Sequence, residues 1–180
     1  MSEHEITLTV DGTEETLTVA ARTLLVHALR DELDYTAPKV GCESGTCGAC
    51  TVAVDGDAVK SCTRLAVQAD GSEVTTVAGL ADDDLHPIQE AFHEEHGLQC
   101  GYCTPGMVMT ARELLAETPD PGREEIRAAL KGTVCRCTGY HNVVDAVETA
   151  ADLVETPDAV GVPDHPEGDA TDRTTTTEDG

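Results

Sequence analysis

Eight cysteines in two sets of four constrain this chain more than any other feature. The first set opens with Cys42, Cys47 and Cys50 inside Gly41–Cys50, a stretch with no apolar periodicity and a glycine beside every cysteine step, and it closes at Cys62. Glycines tolerate positive φ and close backbone approach, so such a loop can turn several N–H groups inward on one anionic centre. The second set divides into Cys100 and Cys103, within Gln99–Met107, and Cys135 and Cys137, within Val134–Tyr140. Each pair stands at the entrance of an expected helix, where unpaired N–H groups and a partial positive end suit thiolates. Thr104 is the expected N-cap and Pro105 the first helical residue, so that helix should begin just after Cys103.

Four thiolates hold either structural zinc or an iron–sulfur cluster. For Cys100, Cys103, Cys135 and Cys137 taken alone both stay open, with iron–sulfur preferred. In the first set the spacing Cys42-x4-Cys47-x2-Cys50 is that of plant-type [2Fe–2S] ferredoxins, with Cys62 following after eleven intervening residues. Zinc sites usually pair their ligands as two short Cys-x-x-Cys knuckles, which the x4 step fits poorly. Four disulfides are a third reading. Neither a basic-plus-apolar leader nor a membrane-length apolar run precedes the cysteines, so the expected compartment is a reducing cytoplasm, where disulfides would not persist.

With 180 residues there is room for one or two small domains. Phe92 and three tyrosines are the whole aromatic complement, so the core must rest on Leu, Val, Ile and Ala, and a small core gains from internal cross-links. Thirty-five acidic residues against 11 Lys and Arg leave a formal charge of −24, which makes nucleic acid and anionic membranes poor partners. The acids run along the whole length rather than forming one patch. They are read as a solvated surface suited to a salt-rich, halophilic cytoplasm, where screening shortens like-charge repulsion; an ordinary acidic protein is the plainer reading.

In chain order, Ile6, Leu8 and Val10 alternate with polar residues, and Leu17 and Val19 repeat the period after Asp11-Gly12, which predicts a hairpin. Leu25, Leu29 and Leu33 then share a helical face, with Thr23 as cap. Thr51–Val54 and Ala58–Cys62 flank a second hairpin turn at Asp55–Asp57, and Val74–Val77 is the last expected strand. Beyond Asp82–Asp84 the period turns helical: a helix after Pro87 that stops at Gly97, then Pro105–Glu117, Arg123–Lys131 with Gly132 as its C′ residue, and Asn142–Glu155. Four short amphipathic helices can form a bundle. The expected division is 1–79, 80–155, and an acidic tail, 156–180, that is disordered or loosely draped.

Taken in order, Lys39–Val52, Ser61-Cys62, Leu85–Gln89, Gln99–Met107 and Cys135–Tyr140 resemble the small iron–sulfur subunit of the molybdenum hydroxylases, the xanthine dehydrogenase, aldehyde oxidoreductase and aerobic carbon monoxide dehydrogenase family. The match covers about residues 5–155. It implies an α+β chain: an N-terminal β-grasp, plant-type ferredoxin-like domain, followed by a C-terminal four-helix bundle, each holding one [2Fe–2S] cluster. Cys42, Cys47, Cys50 and Cys62 would hold the cluster nearer the flavin, and Cys100, Cys103, Cys135 and Cys137 the one nearer molybdenum. Cys137 would touch the pterin, with Gln99 a weaker candidate for such a contact. Thr133 stands where the family often has asparagine, which puts any backbone contact of that side chain in doubt. The resemblance also implies partners: a large chain with a molybdopterin cofactor and a medium chain with FAD.

The expected function is thus an electron-transfer subunit of a heteromeric oxidoreductase, with no catalytic residue of its own. The competing readings are a free-standing ferredoxin-type carrier and a zinc-stabilised adaptor. No histidine makes a convincing site: His93 and His96, three apart, are expected to be solvated or capping, and His86 to start the helix at Pro87. Met107 and Met109 are expected to pack. Arg136 either faces the cofactor or pairs with local acids.

Overall fold

The computed structural model describes residues 2–154 and Val160. Its N-terminal half is a five-stranded mixed sheet in the order β2-β1-β5-β3-β4. β1 (Glu3–Val10) and β2 (Thr13–Ala20) form the expected hairpin, with Asp11 and Gly12 at positive φ in the turn. β3 (Thr51–Val54) and β4 (Asp57–Lys60) form the second. β5 (Glu73–Thr75) runs parallel to β1 and antiparallel to β3, which joins the hairpins into one sheet. Asp11 fastens this junction: its carboxylate accepts from the Thr76 N–H and hydroxyl, each at 2.7 Å. β5 is shorter than expected, and Val77 already lies in a turn.

Across the sheet lies α1 (Leu25–His27), which widens into a π-helical turn over Ala28–Glu32. The expected face is present, since Leu25 and Leu29 are buried and Leu33 half-buried. The cap is not: Leu24 occupies the N-cap without a side-chain bond, and Thr23 instead pairs its backbone with Ala20 and Ala66. Cys62 falls on a 3₁₀ turn, Ser61–Thr63, rather than on β4.

The second half holds α2 (Pro87–Glu94), α3 (Thr104–Glu117), α4 (Arg123–Ala129) and α5 (His141–Leu153). His86 starts α2 as expected, with its Nδ1 accepting the Ile88 N–H at 3.2 Å. Two expectations fail at helix ends. Cys103, not Thr104, is the N-cap of α3, because the chain is already helical at the cysteine and Thr104 takes the first turn. Gly132 is no left-handed C′ residue; α4 tightens into a 3₁₀ turn, Leu130–Gly132, whose geometry needs no positive φ.

Two separate apolar cores result. One unites Ile6, Leu8, Val10, Leu25, Leu29, Val52, Val54 and Val74 beneath the sheet. The other unites Ile88, Phe92, Met107, Val108, Leu115, Ile126, Val143 and Val147 among the helices. Each such side chain is worth about 1.5–3 kcal/mol when withdrawn from water. Val160 is buried in the helical core, and its carbonyl accepts from the Nε of Arg112 at 3.1 Å, so that one residue packs against the bundle. The rest of the expected tail, 156–159 and 161–180, lies outside the described residues.

Candidate metal centres

The loop between α1 and β3 carries the first thiols. Its ends are closed by the Lys39 N–H on the Ala49 carbonyl at 3.0 Å. Glu43, Gly45 and Gly48 adopt left-handed φ, and the resulting curl aims the Ser44 and Cys47 N–H groups at Cys42 Sγ, both at 3.4 Å. These bonds, those from Ser44 foremost, pull the Cys42 thiol down to about 6. A Cβ on Gly41 would stand 2.8 Å from Cys47 Sγ, so glycine there keeps the sulfur's space open. Cys50 and Cys62 lie deeper, packed with Val26. Burial, with Cys62 alongside, pushes Cys50 up to about 11.

The second set forms where the loop before α3 meets the loop before α5. Cys100 Sγ and Cys137 Sγ are 3.6 Å apart. Cys103, pushed up to about 12 by burial and by its neighbour Cys135, completes a second pair. Cys135 Sγ accepts from the Cys137 N–H, the Thr138 N–H and the Thr138 hydroxyl at 3.4, 3.5 and 3.2 Å. Burial pushes the Cys135 thiol up, yet the Thr138 bonds outweigh it and leave the thiol lowered. Tyr140, left-handed at φ 66, folds its phenol back to accept the Cys135 N–H at 2.8 Å and to donate to the Thr133 carbonyl at 3.1 Å. Thr104 Oγ1 is buried beside Cys103 with no hydrogen-bond partner.

These residues fit iron–sulfur centres. The sulfurs come as close pairs, as a binuclear cluster with two thiolates per iron requires, and N–H groups already aim at two of them. Thiols pushed up to about 11 and 12 stay protonated at neutral pH until a cation binds, and a metal ligand is deprotonated outright. Among the described residues no group of three or more His, Cys, Asp or Glu side chains is gathered as the shell of a single metal ion.

The two loops abut. The Val134 N–H donates to the Cys47 carbonyl at 2.8 Å, so backbone next to Cys135 bonds directly to Cys47. The Tyr102 hydroxyl donates to the Val40 carbonyl at 2.7 Å. Glycines permit this approach: a Cβ on Gly106 would run into the Gly48 carbonyl, and one on Gly48 into Gly132 and Thr133. Thr133 is buried there, its hydroxyl 3.2 Å from that of Thr110.

Of the other residues singled out above, Gln99, Cys137 and Arg136 are exposed, and so are Leu98, Tyr102 and Val134 near the second set. His93 and His96 are solvated at the end of α2, while Met107 and Met109 are fully buried. Sequence reasoning missed His27, Glu43, Tyr102, Thr138 and Arg112. Only Thr138, directly after the pair Cys135 and Cys137, had a local signal.

A small sheet domain and a helical bundle whose thiol-rich loops touch define a two-centre iron–sulfur protein for electron transfer. Residues 8–81 match the 2Fe-2S iron-sulfur cluster binding domain and residues 76–148 the [2Fe-2S] binding domain. The chain is 50% identical over 143 residues to the nicotine 6-hydroxylase small subunit of Paenarthrobacter nicotinovorans, covering 79% of this chain and 87% of that one. It is 48% identical over 161 residues to the caffeine dehydrogenase subunit gamma of a Pseudomonas species, covering 86% and 95%. Among solved structures, it superposes on quinoline 2-oxidoreductase from Pseudomonas putida 86 with a TM-score of 0.81 at 43% identity, covering 84% of this chain and 95% of that chain. The chain therefore belongs to the small [2Fe–2S] subunits of the molybdenum-hydroxylase family. It is a non-catalytic electron-transfer subunit of a heteromeric oxidoreductase.

Proposed function

We propose that Cys42, Cys47, Cys50 and Cys62 hold one [2Fe–2S] cluster and that Cys100, Cys103, Cys135 and Cys137 hold the other. Bound there, each cluster supplies reversible one-electron storage at a potential set by charge, sulfur hydrogen bonds and exposure. The observation that carries this reading is the abutment of the two thiol loops through the Val134 N–H and the Cys47 carbonyl, which leaves backbone and one hydrogen bond between the two sets. The chain's own groups do the rest. N–H donors on Cys42 and Cys135 stabilise thiolate, and the packing around Cys50 and Cys62 excludes water.

The same reading divides the chain at 79/80, in keeping with its two cores. It takes as partners a large molybdopterin chain, approached by exposed Cys137 and Gln99, and a medium FAD chain nearer the first set. Exposed Leu98, Tyr102 and Val134 suit a buried contact with a partner. Among the described residues no helix is long and apolar enough to cross a membrane, and a cytoplasmic site accords with eight unbridged cysteines. Iron and acid-labile sulfide per chain, with EPR of the reduced protein, provide the test. Cys50→Ser and Cys103→Ser should each abolish a different one of two [2Fe–2S] signals. Loss of the same signal, or of neither, would refute the ligand sets.

A further inference from the structure

The Cys42–Cys47 loop is held from outside by side chains that the ligand spacing does not require. Glu43 follows Cys42 with φ 54, a left-handed conformation that glycine takes freely and a residue with a Cβ resists. In a loop that uses glycine at three other positions, glutamate here needs a reason. Its Oε1 lies 2.5 Å from His27 Nε2, and His27 Nδ1 lies 2.8 Å from Asp31 Oδ2. Ionised carboxylates only accept hydrogen bonds, so a ring bonded to one at each nitrogen must carry both protons. The hydrogen bonds to Asp31 and Glu43 raise the His27 pKa accordingly. His27 ends α1, whose preceding residue, Val26, packs on Cys50 and Cys62. The same short helix thus touches both halves of the first thiol set, one by packing and the other through Glu43. Lys60 Nζ also donates to the Gly45 carbonyl at 2.7 Å, so this acidic chain places two of its scarce cationic groups on the loop.

We propose that His27 is a positioning residue for the centre at Cys42, Cys47, Cys50 and Cys62: by bridging Asp31 to Glu43 it holds the left-handed turn that aims the Ser44 and Cys47 N–H groups at Cys42 Sγ, and it offsets the carboxylate charge beside that sulfur. The proposal rests on the ligand reading given above. Without His27 the Glu43 charge is unshielded and the sulfur's donors are less well aimed, and both changes disfavour adding an electron to that centre.

The test is a redox titration followed by EPR on the full-length, cluster-loaded chain. His27→Leu should move the midpoint of one cluster to a more negative potential and change its g values, leaving the other cluster and the iron content as in the wild type. With Glu43→Gly, which supplies the turn without the carboxylate, adding His27→Leu should produce no further shift, since the histidine acts through Glu43. Unchanged midpoints and g values in His27→Leu, or an equal shift in the Glu43→Gly background, would overturn the proposal. If His27→Leu alone loses iron, Glu43→Gly with His27→Leu decides: retention of both clusters supports the proposal, and equal loss overturns it. Absence of two signals in the wild type would instead refute the ligand reading.

Discussion

Gly106→Ala tests whether the glycine contact between the domains holds the two thiol loops together. A Cβ at 106 would collide with the Gly48 carbonyl oxygen and stand 2.9 Å from the Gly48 carbonyl carbon and 3.1 Å from Ala49 Cα. All of these are backbone atoms, so no side chain can swing aside. Carbon contacts settle at about 3.5–4.0 Å, so the carbon contacts alone require the Cys47–Cys50 loop to recede by at least roughly 0.6 Å, and the closer carbonyl oxygen requires more, against the pull of the Val134 N–H on the Cys47 carbonyl. Overpacking of this kind costs about 1–3 kcal/mol. The propensity gain of alanine, at most about 1 kcal/mol in a helix interior and less in the first turn of α3, offsets only part of it. At about 2–4 °C per kcal/mol for a chain of this size, the apparent Tm should fall by several degrees in differential scanning calorimetry of the cluster-loaded chain. Gly132→Ala is the control, because that residue is neither at positive φ nor a helix cap, and a Cβ there meets only the end of the Lys60 side chain, at 3.5 Å. Equal Tm values for the two variants would refute the claim that the loops meet through Gly106 and Gly48.

Arg112 is fully buried on α3, and donates to the carbonyls of Gly56, in the β3–β4 turn, and Val160, at 3.2 and 3.1 Å. Arg112→Met should leave both carbonyls unpaired and cost about 2 kcal/mol or more, read as a lower urea midpoint; an unchanged midpoint would refute a structural role. His27 gives a pH dependence of known sign. Its pKa is raised in the fold, so its contribution is fully present below about pH 6.5 and disappears as pH rises through the raised value. Wild-type Tm should therefore decline over that window more than the Tm of His27→Gln, and parallel profiles would count against the clamp. The charge of −24 predicts that far-UV circular dichroism is lost on dilution from molar KCl to low salt. A spectrum indifferent to KCl would sink the salt adaptation.

Much of this protein is written locally. Alternation at Ile6, Leu8 and Val10 and the Asp11-Gly12 turn suffice for the first hairpin, because side-chain period and turn chemistry involve only neighbours. The helical faces of Ile88 and Phe92 or Val143 and Val147 follow in the same way. The grouping of the cysteines was legible too, and the fold gathers what the spacing grouped, with Cys100 Sγ 3.6 Å from Cys137 Sγ and Cys50 packed with Cys62. Helix ends were less so. Thr104 reads as a cap, yet whether Cys103 is already helical depends on where the loop that carries it is held, and Tyr102 bonds that loop to Val40.

Tertiary structure alone decided how the two halves meet. Nothing near residue 47 announces that its carbonyl will accept from Val134, nor near residue 106 that its glycine will lie on Gly48. Such contacts join segments some 60 to 90 residues apart, and they form only once two cores have packed and brought their loops together. The same holds for His27 on Glu43 and for Arg112 on Gly56: each residue is ordinary in its own stretch, and acquires a role from the group that the fold sets opposite it. Local sequence can encode what touches along the chain, whereas a bond between distant segments exists only after folding has met the entropy of closing the loop between them.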